Sequence, residues 1–187
     1  MIAGFEKHRM KAPDILHTER LTLRKPVAGD AEAIFRRYAS DPLATRYLSW
    51  PTHRTVDDTR AFLAWSDADW QRWPAGSYLV FSTETHALLG GTGLSFTSPS
   101  EAVTGYVFAQ DAWGHGYATE SVEAMVALAR QTGVRHLEAI CHVDHRASAH
   151  VLEKCGFAQT EVRRSSVEFP NLAPGNRFDV LCYVKLL

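Results

Sequence analysis

Cysteine is scarce. The chain of 187 residues carries three, Cys141, Cys155 and Cys182, an odd number at no framework spacing, which speaks against a disulfide-stapled secreted fold and for a reducing, cytoplasmic setting. Neither sign of charge is in excess. Twenty Lys and Arg face 21 Asp and Glu for a formal net charge of −1, so no global field draws the chain to nucleic acid or to a membrane surface. No stretch reaches the ~20 apolar residues of a membrane span, and MIAGFEKHRMKAPD lacks an apolar core of signal-peptide length. Internal repeats and low-complexity tracts are absent too. A P-loop, GxxxxGK followed by Ser or Thr, is missing, as is an early GxGxxG with an acidic residue ~20 positions later. What is present, 45% hydrophobic and 22% charged residues, suits a globular protein with a substantial core. The length predicts one domain, over residues 15–187, behind a polar leader at 1–14 that carries Pro13.

Along the chain, TERLTLRKP (18–26) alternates as a half-buried strand and ends at Pro26. Asp30 opens a helix whose apolar residues Ile34, Phe35 and Tyr38 recur at helical spacing, and Asp41-Pro42 stops it. An irregular aromatic segment (46–58) leads to Thr55 and Asp58, spaced as a capping box, and to a helix reaching about Trp70. SYLVFSTE (77–84) and ALLGGTGLSF (87–96) read as a hairpin, and 102–110 as a third strand. From Tyr117 to Gln131 the residues Val122, Met125, Val126 and Ala129 share one helical face, with Gly133 as the stop. A strand (136–143), a short helix (146–156) ended by Gly156, and a strand pair around a Pro- and Gly-rich loop complete the order. Strands mixed with helices in this order predict an α/β sheet covered by helices, with at least one crossover between parallel strands.

In AWGHGYATES (112–121) a strand passes through Gly114 and Gly116 into the helix expected from Tyr117. The first N–H groups of a helix have no intrahelical partners, so a glycine loop ahead of them can admit a phosphate close to the main chain. A tight strand-to-helix turn accounts for the same two glycines without a ligand. Glu120, in the first turn, reads as a stabiliser of the helix dipole.

WGHGYATE and RASAHVLEKCGF, thirty residues apart and preceded by TERLTLR, resemble the GNAT superfamily of acyl-CoA N-acyltransferases, in its ribosomal-protein N-terminal acetyltransferase-like branch. The resemblance covers roughly residues 16–187. It implies a twisted, mostly antiparallel sheet of about six to seven strands with a central parallel splay, flanked by helices. It further implies transfer of an acetyl group from acetyl-CoA to a primary amine. In that family Gln or Arg, two residues, Gly, one residue, then Gly or Ala form a pyrophosphate loop. Here Trp113, Gly116 and Ala118 stand at the three positions, and the backbone of Gly114, His115, Gly116, Tyr117, Ala118 and Thr119 is implied to hold the pyrophosphate. The strand before it, at Tyr106, Val107 and Phe108, is implied to pair with the pantetheine arm. The Asn that the branch places before its helix is His145 here, and its Ser is Ser148; imidazole can donate or accept a hydrogen bond in the place of the amide.

Attack of an amine on a thioester needs amine deprotonation, stabilisation of an oxyanion and a proton for the thiolate. By resemblance, Ser148 serves the thiolate; as the start of a helix it serves equally as a local hydrogen bonder. Glu84, Glu138 and His142 are titratable and near the expected sheet centre, and none is assigned as base. Val103 stands where relatives often carry an acid. Tyr47 and Trp50, on the irregular loop, are candidate substrate contacts, whereas Phe62 and Trp65 are expected in the core. Arg146, Arg163 and Arg164 are expected to be solvated. Cys141, His142, His145, His150 and Cys155 fit no zinc spacing, and strand alternation parts Cys141 from His142, so no metal is expected. The acceptor is left open between a small molecule and a protein N-terminus, and relatives often form homodimers. Without the usual Asn and without a legible base, a non-catalytic acyl-CoA-binding module of the same fold is the alternative. A nucleotide-binding protein using the glycine loop is a third.

Overall fold

The computed structural model describes residues 10–187. Residues 1–9 of the expected leader lie outside the described residues. The rest of that segment is tied to the body: the Ala12 N–H donates to the Pro74 carbonyl at 2.7 Å, and the Pro13 carbonyl accepts from the Tyr78 hydroxyl at 2.7 Å.

Eight strands form one sheet in the order β1-β2-β3-β4-β5-β6-β8-β7. The strands are β1 (Ile15–His17), β2 (Leu21–Arg24), β3 (Ser77–Ser82), β4 (Leu88–Ser98), β5 (Glu101–Phe108), β6 (His136–His142), β7 (Ala158–Glu168) and β8 (Arg177–Leu186). Every neighbouring pair is antiparallel except β5 and β6, which α3 (Tyr117–Gln131) joins by a crossover. The sheet is thus mixed and mostly antiparallel, as expected, with one strand more than expected. That extra strand, β1, is three exposed or half-exposed residues with no alternation to announce it, and pairing with β2 alone makes it a strand.

The helix expected after Asp30 is a single α-turn, α1 (Ala31–Ile34), continuing as a π-helical stretch, Phe35–Ala39. Asp30 acts at its start by accepting the Val27 N–H at 2.7 Å and pairing with Arg24. Helix α2 (Val56–Arg72) begins at the anticipated box, where the Asp58 carboxylate accepts the N–H groups of Arg54 and Thr55 at 2.8 and 2.9 Å. Helix α3 has the bounds its periodicity predicted, buries Val122, Met125, Val126 and Ala129, and ends before Gly133 at φ +84°. Burying each of the two valines and the methionine contributes about 1.5–3 kcal/mol before entropy is counted. Helix α4 (Arg146–Lys154) closes at Gly156, φ +75°.

Leu79 joins the core under α1 and α2, while its neighbours Tyr78 and Val80 join the larger core under α3 and α4. Alternation therefore sends β3 side chains to both faces and sandwiches the sheet between the two helical layers. Cys155 packs in the larger core, as expected. No helix among the described residues is long and apolar enough to cross a membrane.

Candidate active site

The parallel pair defines the site. Glu101, Ala102 and Val103 pair with His136, Leu137 and Glu138, and beyond Val103 the two strands part. Across the other edge of β5, the Ala109 N–H donates to the Leu89 carbonyl at 2.9 Å, in register with Gly91 opposite Val107. Main-chain direction alternates in an antiparallel ladder, so Val107 turns its amide and carbonyl toward β4, and Tyr106 and Phe108 turn theirs into the gap. Of the three residues expected to pair with a ligand arm, Val107 is thereby corrected: it lines the cavity but its backbone is already used. The Phe108 carbonyl accepts the Trp113 indole N–H at 2.8 Å. Trp113 thus anchors the glycine loop to the end of β5.

At the end of the gap the loop turns into α3 with Gly114 at φ +77° and Gly116 at φ +79°. Only glycine takes this left-handed region without strain. A Cβ on Gly114 would meet nothing within 4 Å, so the space above the loop is open, and the main-chain N–H groups opening α3 lie beside it. Arg20 adds a guanidinium that no sequence pattern assigned: it donates to the His115 carbonyl at 2.9 Å and pairs with Glu120 at 2.7 Å. Glu120 is more than a dipole stabiliser, because it also accepts from Thr18 Oγ1 at 2.6 Å and the Arg20 N–H at 2.8 Å. Burial alone would raise its carboxyl, but the bonds from Thr18 and Arg20 outweigh that and hold it below its ordinary value.

Ser148, buried in the first turn of α4, faces the same gap. Its Oγ lies 2.8 Å from the Tyr106 hydroxyl. Burial raises the Tyr106 phenol well above its ordinary value, so it keeps its proton. Burial likewise pushes the Cys141 thiol up to about 11, against a hydrogen bond with Ser148.

From this gap a cavity of about 590 Å³ runs to a wall of rings formed by Tyr38, Tyr47, Trp50, His53, Phe62 and Trp65. Tyr47 and Trp50, the candidate substrate contacts, are both part of its lining. Trp65 does not belong to the core: it is 52% exposed and faces the cavity, and Phe62 lines it too. Trp70, by contrast, is buried and donates its indole N–H to the Ser77 carbonyl at 2.9 Å.

Both the sequence and the overall fold are similar to those of known proteins. The acetyltransferase (GNAT) domain family matches residues 20–158 of the chain. The protein belongs to the GNAT acetyltransferase family. A Bacillus subtilis (strain 168) relative, the uncharacterized N-acetyltransferase YoaA, is 28% identical over 153 residues, 80% of this chain and 86% of its own. Among solved structures, the microcin C7 self-immunity acetyltransferase MccE, in complex with acetyl-CoA and AMP, superposes with TM-score 0.83 at 18% identity, covering 95% of this chain and 98% of that one. The ribosomal L7/L12 α-N-protein acetyltransferase RimL, in complex with coenzyme A, does so with TM-score 0.79 at 22% identity, covering 92% and 98%.

In this GNAT acetyltransferase none of the three bases weighed from sequence lines the cavity. Glu84 and Glu138 are exposed. His142 is buried among Tyr47, Phe169 and Phe178, and its Nδ1 accepts the Asp144 N–H at 3.1 Å. The imidazoles that do line the cavity are His53 and His145. His145 stacks on Tyr47 with centroids 4.6 Å apart and caps nothing with its side chain. Burial first, then His142, holds its pKa below the ordinary value. Burial also lowers His53, partly offset by Asp58, and its Nδ1 bonds Thr59 Oγ1 at 2.8 Å. Arg163 and Arg164 pair with Glu161 and Asp179, and Arg146 is exposed.

The ring-bearing loop is held from far along the chain. Asn171, between β7 and β8, donates to the carbonyls of Thr45 and Trp50 at 2.7 and 2.9 Å and accepts from the Thr52 N–H and hydroxyl at 2.7 and 3.0 Å. Removing it strands several polar groups, each costing about 1–3 kcal/mol if it stays dry. Asn171→Ala is expected to raise the KM for the amine severalfold and to lower the melting temperature, with KM for acetyl-CoA unchanged; steady-state kinetics against each substrate checks the split.

Proposed function

We propose that this N-acetyltransferase moves an acetyl group from acetyl-CoA to a primary amine, the amine attacking the thioester directly. The observation that carries this reading is the opening of β5 from β6 directly above the glycine-started helix, with the Ser148 and Tyr106 hydroxyls in the gap. The residues present fit the co-substrate. Open space over Gly114, backbone N–H groups at the start of α3 and the Arg20 guanidinium suit a pyrophosphate. The gap-facing main chain of Tyr106 and the N–H of Phe108, whose carbonyl already holds the Trp113 indole, suit an extended pantetheine arm, with Trp113, His115, Tyr117, Ala118 and Thr119 framing the loop. The acetyl-CoA of the MccE structure and the coenzyme A of the RimL structure support the same co-substrate here.

Acetyl-CoA supplies the activated acyl group, and the chain's own residues manage the proton. With Tyr106 as the donor to Ser148 Oγ, the serine proton is free to pass to the sulfur as the C–S bond breaks, and the proton shed by the attacking nitrogen restores the serine hydroxyl. His145 packs on Tyr47 and shapes the cavity wall. The amine belongs at the ring-lined end, against Tyr47 and Trp50.

The test is acetyl transfer to an amine panel beside thermal melting with acetyl-CoA. Ser148→Ala is expected to lower kcat by about 100-fold, the lower end for losing a general acid. Tyr106→Phe is expected to lower it by about tenfold, as for one neutral hydrogen bond. Both variants keep the acetyl-CoA melting shift. Unchanged kcat in Ser148→Ala would remove it from the mechanism.

A further inference from the structure

We propose that the acceptor is a monoamine carried on a flat aromatic body, which lies among Trp50, Phe62, Trp65 and the Tyr47–His145 stack. This rests on the acetyl-transfer reading above and goes beyond it by choosing the amine's class.

Three features carry it. First, the rings come from three separate segments: Tyr47, Trp50 and His53 from the loop, Phe62 and Trp65 from α2, and Tyr38 from the π-helical stretch. All six line the one cavity. Phe62 and Trp65 stand with centroids 6.1 Å apart at 31°, and Trp50 and His53 5.1 Å apart at 47°. Tilted rings at such spacing offer both faces and edges to a further ring.

Second, Trp65 is spent on this wall. A tryptophan 52% exposed on a helix gains little from the core, and a large apolar side chain bordering a cavity gains most when a flat ligand covers it.

Third, the wall carries no formal charge. Among the described residues no Asp, Glu, Lys or Arg lines the cavity. A polyamine or an aminoglycoside would bring several ammonium groups into a space with no carboxylate to receive them, and each unpaired charge is costly to desolvate. A monoamine brings one, on the group that must lose its proton to attack. Burial favours that neutral form, and the neutral imidazoles of His53 and His145 add no positive charge to oppose the amine.

The experiment compares kcat/KM at saturating acetyl-CoA for tryptamine and phenethylamine, for spermidine, for kanamycin and for a serine-initiated peptide. Tryptamine or phenethylamine is expected to exceed each of the others by at least about tenfold, the discrimination that one well-filled apolar contact supplies. Trp65→Ala, at a half-exposed position that tolerates truncation, is expected to raise KM for the aromatic amine by about tenfold, as for an interface anchor. Trp50→Ala is the second variant with the same expected result, and the acetyl-CoA melting shift stays in both. Turnover of spermidine, kanamycin or the peptide at or above the rate of the aromatic amines overturns the proposal and leaves acetyl transfer standing. So does an unchanged KM in both tryptophan variants, or a protein that binds acetyl-CoA and acetylates no aromatic amine. Failure to bind acetyl-CoA, read separately from the melting shift, overturns both readings.

Discussion

Gly116→Trp is expected to abolish the stabilisation that acetyl-CoA should give the wild-type protein if it binds as proposed, and acetyl transfer with it. Wild type at about 100 times the dissociation constant gains about 2.7 kcal/mol, a rise of about 5–10 °C for a domain of this size. In the variant the rise is expected to vanish, because the indole fills the approach to the N–H groups of the loop. The fold should survive the change. Gly116 sits at φ +79°, where a non-glycine residue costs about 1–2 kcal/mol. The nearest atom to its new Cβ is Arg20 Nη2 at 3.4 Å, the mobile end of a side chain. Differential scanning fluorimetry with and without acetyl-CoA reads both effects at once. A wild-type-sized shift in the variant would locate the co-substrate elsewhere.

Gly90→Ala is the substitution expected to cost most in stability, about 3 kcal/mol, at the upper end for forcing atoms into a packed interior. A Cβ at Gly90 would run into the Val107 carbonyl and come within 2.9 Å of Phe108 Cα. Those are main-chain atoms of the neighbouring strand, and they yield only by prising β4 from β5. Gly105→Ala is the matched control, since its Cβ would meet nothing within 4 Å. Urea unfolding should therefore show a lower midpoint for Gly90→Ala and little change for Gly105→Ala. Because β5 frames the gap, the Gly90 variant should also lose acetyl transfer out of proportion to its folded fraction.

The sequence announced what local physics governs. The bounds of α3, the Asp58 box on α2 and the β3–β4 hairpin follow from spacing within a dozen residues, and the helical stop at Gly133 from one backbone preference. Features decided by distant partners stayed hidden. Trp65 and Trp70 lie five residues apart on one helix, and only the placement of the sheet sends one to the cavity and the other to the core. Alternation foretells where the Val107 side chain points, but the direction of its carbonyl depends on register with β4. Nothing in FPNLAPG signals that the Asn171 amide reaches back to residues 45–52. Arg20 was visible within TERL, and its hold on Glu120 and His115 was not. Resemblance carried the family. His145 shows its limit, since here the side chain in the amide's place is committed to a stack with Tyr47.

The wedge between β5 and β6 leaves a sheet with an open seam in its middle rather than only at its rim. If the arm of acetyl-CoA pairs with Tyr106 and Phe108 as proposed, the metabolite acts as a removable ninth strand. Proteases and quality-control machinery sample the opened form in proportion to its population, so a co-substrate that closes the seam also lengthens the protein's working life. Abundance of the enzyme would then follow the supply of acetyl groups without any change in its synthesis.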